Sequence, residues 1–131
     1  MIRTLCLALF ALPVAALADI PPLGNEAVIT EGLIAAAIAY EIGEECDGVD
    51  ARILRGLAFL ESLRAEARRR GYSNEEIDAY VDNDEAQDRI EALARERFAA
   101  LGGVDGDPES YCAVGRAEIA KGSQIGVLLD D

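Results

Sequence analysis

Between Gly32 and Tyr40 the chain carries no charged residue, although 28% of the sequence is Asp, Glu, Lys or Arg. From Asn25, which reads as an N-cap, to about Glu45 the residues are mostly helix-compatible. Ile29, Leu33, Ala36 and Tyr40 fall on one helical stripe, and Ile34, Ile38 and Ile42 on a second. A helix apolar nearly all round must be surrounded by others. Gly32, Ala35, Ala39 and Gly43 are small enough to let neighbouring backbones approach. A membrane span is the alternative, but Glu31 and Glu41 bracket a stretch far short of the ~20 apolar residues that cross a bilayer.

The remaining chain supplies the surrounding helices. Cys46-Asp47-Gly48-Val49 reads as a turn, with Asp50 the cap of a second helix that runs to Arg70 and stops at Gly71. Its expected core face is Ile53, Leu57, Leu60 and either Leu63 or Ala67. Arg68-Arg69-Arg70 suits the negative end of the helix dipole better than it suits an anion site. Ser73-Asn74-Glu75-Glu76 matches a capping box, with Tyr72 and Ile77 placed as its hydrophobic staple. That helix ends near Asp82-Asn83-Asp84, and another runs to Leu101 with Ile90, Leu93 or Ala94, Phe98 and Leu101 inward. Pattern alone leaves open whether these two helices are separate or one kinked rod. Asp107-Pro108 starts a last helix to about Lys121, with Cys112, Gly115 and Ile119 along one side. After Gly122-Ser123, the apolar stretch Gln124 to Leu129 is expected to pack back on the core. The fold class expected is all-α, a small bundle of four to five helices around a central apolar helix.

Met1 to Arg3, the apolar run Leu5 to Leu17 and the Ala16-Leu17-Ala18 site form the three-part pattern of a secretory signal, with cleavage before Asp19. Residues 1–18 are then a signal peptide and 19–131 a single helical domain. Losing Arg3 and no acid takes the formal charge from -13 to -14. Removal also takes away Cys6, leaving Cys46 and Cys112 in a chain sent to an oxidising compartment. A disulfide between them is expected, closing a loop of about 67 residues and stabilising by roughly 4 kcal/mol. No CxxC spacing or activating base points to a catalytic thiol.

The sequence has no His and no Trp, so Ser/His/Asp and Cys/His catalytic sets and imidazole metal sites are absent. With 25 acids against 12 bases, nucleic acid is not an expected partner. Asp82-Asn83-Asp84-Glu85 and Asp105-Gly106-Asp107-Pro108-Glu109 resemble pieces of calcium loops but lack the Gly and Glu positions of an EF-hand, so turn and cap chemistry explains them better. Neither a metal nor a cofactor is expected, since there is also no Gly-rich phosphate loop. Glu31 and Glu41 are candidates for raised pKa values, yet about 15 Å of helix rise separates them, too far for a glycosidase pair. They are expected to pair with arginines. Lys121 and Ser123 match no recognised dyad. Arg116 and Glu118, with Tyr111, are expected to form a polar network holding the last helix.

The tail Tyr111 to Leu129 and the segment Gly71 to Ile77, followed by Ala79-Tyr80-Val81, resemble a family of small secreted proteins from Rhodobacter-type alphaproteobacteria, known as a domain of unknown function. The resemblance spans about Asn25 to Leu129. It implies an exported helical domain with paired cysteines and assigns no activity. The function expected is therefore a non-catalytic periplasmic binding or inhibitor-type module, whose acidic surface meets a basic protein through Asp82, Asp84, Asp105 and Asp107. A periplasmic acid-stress chaperone is the alternative, and a carboxylate-based hydrolase ranks third.

Overall fold

The computed structural model describes residues 19–131; the expected signal peptide, 1–18, lies outside the described residues. A 3-10 turn, Leu23–Asn25, leads into helix α1, Ala27–Glu45. A two-residue strand β1, Asp50–Ala51, precedes α2, Ile53–Arg69, and α3, Asn74–Val81, is followed by α4, Asp84–Ala100. Helix α5, Pro108–Lys121, gives way to a second 3-10 turn, Gly126–Leu128, and strand β2, Leu129–Asp130. β1 and β2 pair antiparallel, Asp50 opposite Asp130 and Ala51 opposite Leu129. The fold is all-α apart from this ladder, and α3 and α4 are two helices, not one kinked rod.

α1 is the centre, packed against α2, α4 and α5. Ile34, Ile38 and Ile42 meet Val49, Phe98, Tyr111, Leu128 and Leu129 in the main core, where the Phe98 and Tyr111 rings stack with centroids 4.3 Å apart. A second cluster joins Leu23, Ile29, Leu63, Ala67, Tyr72 and Ile77. At Gly43 a Cβ would stand 2.7 Å from the Ala51 nitrogen, so the absence of a side chain lets β1 cross α1 backbone to backbone. Cys46 and Cys112 are bonded, 5.2 Å apart at Cα, and tie the end of α1 to the first half of α5.

The caps of α3, α4 and α5 follow the sequence. Ser73 Oγ accepts the Glu76 N–H at 3.1 Å, and Tyr72 and Ile77 are both buried as the staple requires. Asn83 accepts from the Ala86 N–H and Asp107 from the Glu109 N–H. Gly71, at φ 103°, ends α2 in a Schellman motif: the Tyr72 N–H reaches the Ala67 carbonyl and the Gly71 N–H that of Arg68.

Several expectations need correction. Asn25 belongs to the 3-10 turn, and Glu26 stands at the α1 N-cap with its carboxylate turned away to Arg70 and Tyr72. Asp50 does not cap α2; it lies in β1, and Arg52 holds the cap position. Ile53, Leu57 and Leu60 are not core. The face of α2 that packs inward runs through Phe59, Leu63 and Ala67, because α2 carries two apolar stripes and the fold covers only one. Tyr40 ends its stripe exposed, although Ile42 beyond it and Cys46 at the α1 C-cap are buried.

Candidate interaction site

The four acids expected to meet a partner do not gather in one place. Asp82 ends α3 and Asp84 begins α4, whereas Asp105 and Asp107 sit in the loop after it. Seventeen residues of α4, about 25 Å of rise, separate the two turns. Two of the four have structural duties: Asp107 caps α5, and Asp105 Oδ1 accepts the Tyr111 hydroxyl at 3.3 Å. Burial, with Glu41 and Asp105 adding their charge, pushes the Tyr111 phenol up to about 12. Among the described residues no three metal-ligating side chains converge.

Glu31 and Glu41 behave oppositely. Glu31 takes a two-pronged bond from Arg97, at 2.9 and 3.0 Å, which holds its carboxyl below the usual range. The expected arginine partner is therefore present for Glu31, and it lowers the carboxyl that burial alone would have raised. Glu41 has no such bond among the described residues; partial burial raises it, and Asp105, Glu45 and Glu91 raise it further against Arg95. A carboxylate whose folded pKa exceeds its unfolded value stabilises only below the unfolded value, and that contribution is lost as pH rises through the folded one. Glu41→Gln is therefore expected to raise the unfolding midpoint slightly at pH 7, with the gain vanishing below about pH 4. Thermal melts of both proteins across that range check it; a gain that persists at low pH would point to packing instead.

The expected network of Tyr111, Arg116 and Glu118 does not form. Arg116 extends over Gly48, and Tyr111 goes to Asp105. Glu118 is 4% exposed, and its Oε1 accepts Lys121 Nζ at 2.7 Å. Burial raises this carboxyl, but its bonds from Lys121 and Ser123 outweigh burial and leave it lowered. Ser123 also accepts the Gly126 N–H at 3.0 Å and so fastens the tail, whereas Lys121 is held within α5 by Glu118.

What the fold leaves uncovered is apolar. Tyr40 is 58% exposed, Ile53 56%, Leu54 83%, Leu57 55% and Leu60 40%. Tyr40, Ile53, Leu57 and Leu60 line a groove of about 190 Å³ whose floor includes Ala36, Ala39, Gly56 and Leu128, with Arg52 at its edge. On the other side of Tyr40 lies a hollow of about 300 Å³ lined by Glu41, Glu91 and Arg95. One tyrosine therefore stands between an apolar groove and a charged hollow in which Arg95 faces Glu91 at 3.9 Å and Glu41 has no ion pair among the described residues. Sequence reasoning missed this surface because it assigned Ile53, Leu57 and Leu60 to the core face of α2. The signal was present in the excess: Ile53, Leu54, Leu57 and Leu60 in addition to Phe59, Leu63 and Ala67 are more apolar residues than one packed face of α2 needs.

No helix among the described residues is long and apolar enough to cross a membrane. No curated protein and no solved structure matches the chain. Residues 21–130 match a family of unknown function, DUF5333, and the chain belongs to that family.

Proposed function

We propose that this protein is an exported, non-catalytic binding module that engages a cationic protein in the periplasm. The single observation that carries the proposal is Tyr40, exposed between an apolar groove and a hollow lined by Glu41, Glu91 and Arg95. Tyrosine is enriched at binding hot spots because it offers a rigid apolar body with a polar tip. Around it, the charge of -14 left after signal removal, -13 less Arg3, supplies long-range attraction for a positive partner. The Cys46–Cys112 bond supports the oxidising compartment. The tail pattern supports a source among Rhodobacter-type alphaproteobacteria, which possess a periplasm.

In this reading the turns at Asp82 and Asp84 steer and the Tyr40 region anchors. Reversing Asp82 and Asp84 to Lys is expected to slow association with a cationic partner isolated at low salt, and to leave thermal unfolding nearly unchanged. Asp107 is unsuited to such a test because it caps α5. Stopped-flow rates at rising ionic strength check the point, since fields from exposed acids fade beyond about 8 Å at 0.15 M salt. An unaltered association rate in the reversed variant would remove the acidic turns from the mechanism.

An acid-stress chaperone draws on the same uncovered apolar face. It predicts protection of an aggregating client at about pH 4, where carboxylates lose charge, with no preference for basic clients. A basic partner bound at neutral pH favours the module.

A further inference from the structure

We infer that the groove beside α2 receives one face of a basic amphipathic helix from the partner, a step that rests on the binding-module reading above. Ile53, Leu57 and Leu60 are spaced four and three residues apart, the spacing of a helix-pairing seam, and all three are exposed.

Gly56 lies within this seam and lines the groove. Glycine destabilises a helix relative to alanine, so a helical glycine usually answers to a close neighbour. Gly56 has none: a Cβ there would meet nothing within 4 Å. The fold itself gains nothing from the missing side chain. A helix laid against the groove gains closer approach to the α2 backbone, with Ala36 and Ala39 keeping the floor low.

Charge chooses the occupant. Glu41 and Glu44 follow Tyr40 by one residue and one helical turn. Asp50 faces Asp130 across the ladder that adjoins the groove at Ala51 and Leu128. Like charges placed directly opposite repel. Neither acid is ion-paired among the described residues. Lysines or arginines flanking an apolar stripe would neutralise both groups, with Arg52 the one base at the edge. A second copy of this chain fits poorly: each exported copy carries -14, the -13 of the whole sequence less Arg3, and would bring the same acids to the same edge.

The test uses a synthetic peptide of about 15 residues with leucines at i, i+4 and i+7 and lysines on both flanks. Controls are a scrambled peptide and one with glutamate in place of lysine. The parent protein is expected to bind the lysine peptide at least about tenfold more tightly than either control. Gly56→Gln, which plugs the floor without touching the core, and Leu57→Ser are each expected to weaken it about tenfold. Gly56→Ala is expected to raise the unfolding midpoint by about 2–5 °C, which shows that the fold does not need this glycine. Equal binding by parent and Gly56→Gln, or by lysine and glutamate peptides, overturns the inference. So does a dimer in sedimentation that Gly56→Gln abolishes. A cationic partner that binds Gly56→Gln as well as the parent removes the groove and leaves the module standing. Failure of the parent to bind any cationic partner removes both.

Discussion

Replacing Cys46 and Cys112 together by alanine is expected to lower the unfolding free energy by roughly 4 kcal/mol, the loop-closure entropy of a bridge spanning about 67 residues. The bond joins residues 66 apart in sequence, and Cys46 is buried beside Ile42 and Val49 in the main core. It therefore fixes the end of the central helix to α5 across intervening α2, α3 and α4. A small domain has about 5–15 kcal/mol in all, so the loss removes a large share of it. Alanine is the better replacement, since a serine hydroxyl buried beside Ile42 would add a desolvation cost of about 1–3 kcal/mol. Urea unfolding of parent, reduced parent and double variant is the measurement. The reduced parent should resemble the variant, and an unchanged midpoint on reduction would show that packing alone holds α5.

That bridge was legible from sequence because the expected signal peptide leaves two thiols and one possible pairing. The caps at Ser73, Asn83 and Asp107 were legible for a different reason: each is a local hydrogen bond decided within three residues. The Gly71 stop is equally local, needing a positive φ that other residues rarely adopt. Asp50 shows where local reasoning ends. It has the chemistry of a cap, but its segment pairs with Leu129–Asp130, some eighty residues away, and the cap position moves to Arg52. The helical period of α2 likewise fixes which residues share a face, and two faces qualified. Which one turned inward depended on where α1 and α3 lay, and so the candidate surface at Ile53, Leu57 and Leu60 went unseen. For Glu31 the kind of partner was legible, an arginine, but not which one, because Arg97 comes from 66 residues further on.

The C-terminal segment offers the sharpest contrast with Gly56. A Cβ at Gly126 would lie 2.0 Å from the Glu118 carbonyl oxygen and 2.7 Å from the Ile119 nitrogen, both backbone atoms with no freedom to swing aside. Gly126→Ala must therefore push the 3-10 turn off α5. The displacement strains the bonds that Ser123 donates to the Glu118 carbonyl, at 3.3 and 3.4 Å, and the Arg52 N–H bond to the Leu128 carbonyl on the far side of the tail. It also lifts Ile125, Leu128 and Leu129, all buried in the main core and each contributing about 1.5–3 kcal/mol by full burial. Since the segment can re-dock in part, the expected loss is about 3–5 kcal/mol, at the upper end of single substitutions. Denaturant unfolding measures the total, and hydrogen exchange at the Arg52 amide reports the local release. Gly126→Ala should speed that amide while Gly56→Ala leaves it protected, because the two glycines sit in opposite surroundings: one against backbone, the other facing open space. A Gly126→Ala protein as stable as the parent would mean that the tail does not approach Glu118 so closely, and that the last strand is not what closes the core over Ile42 and Val49.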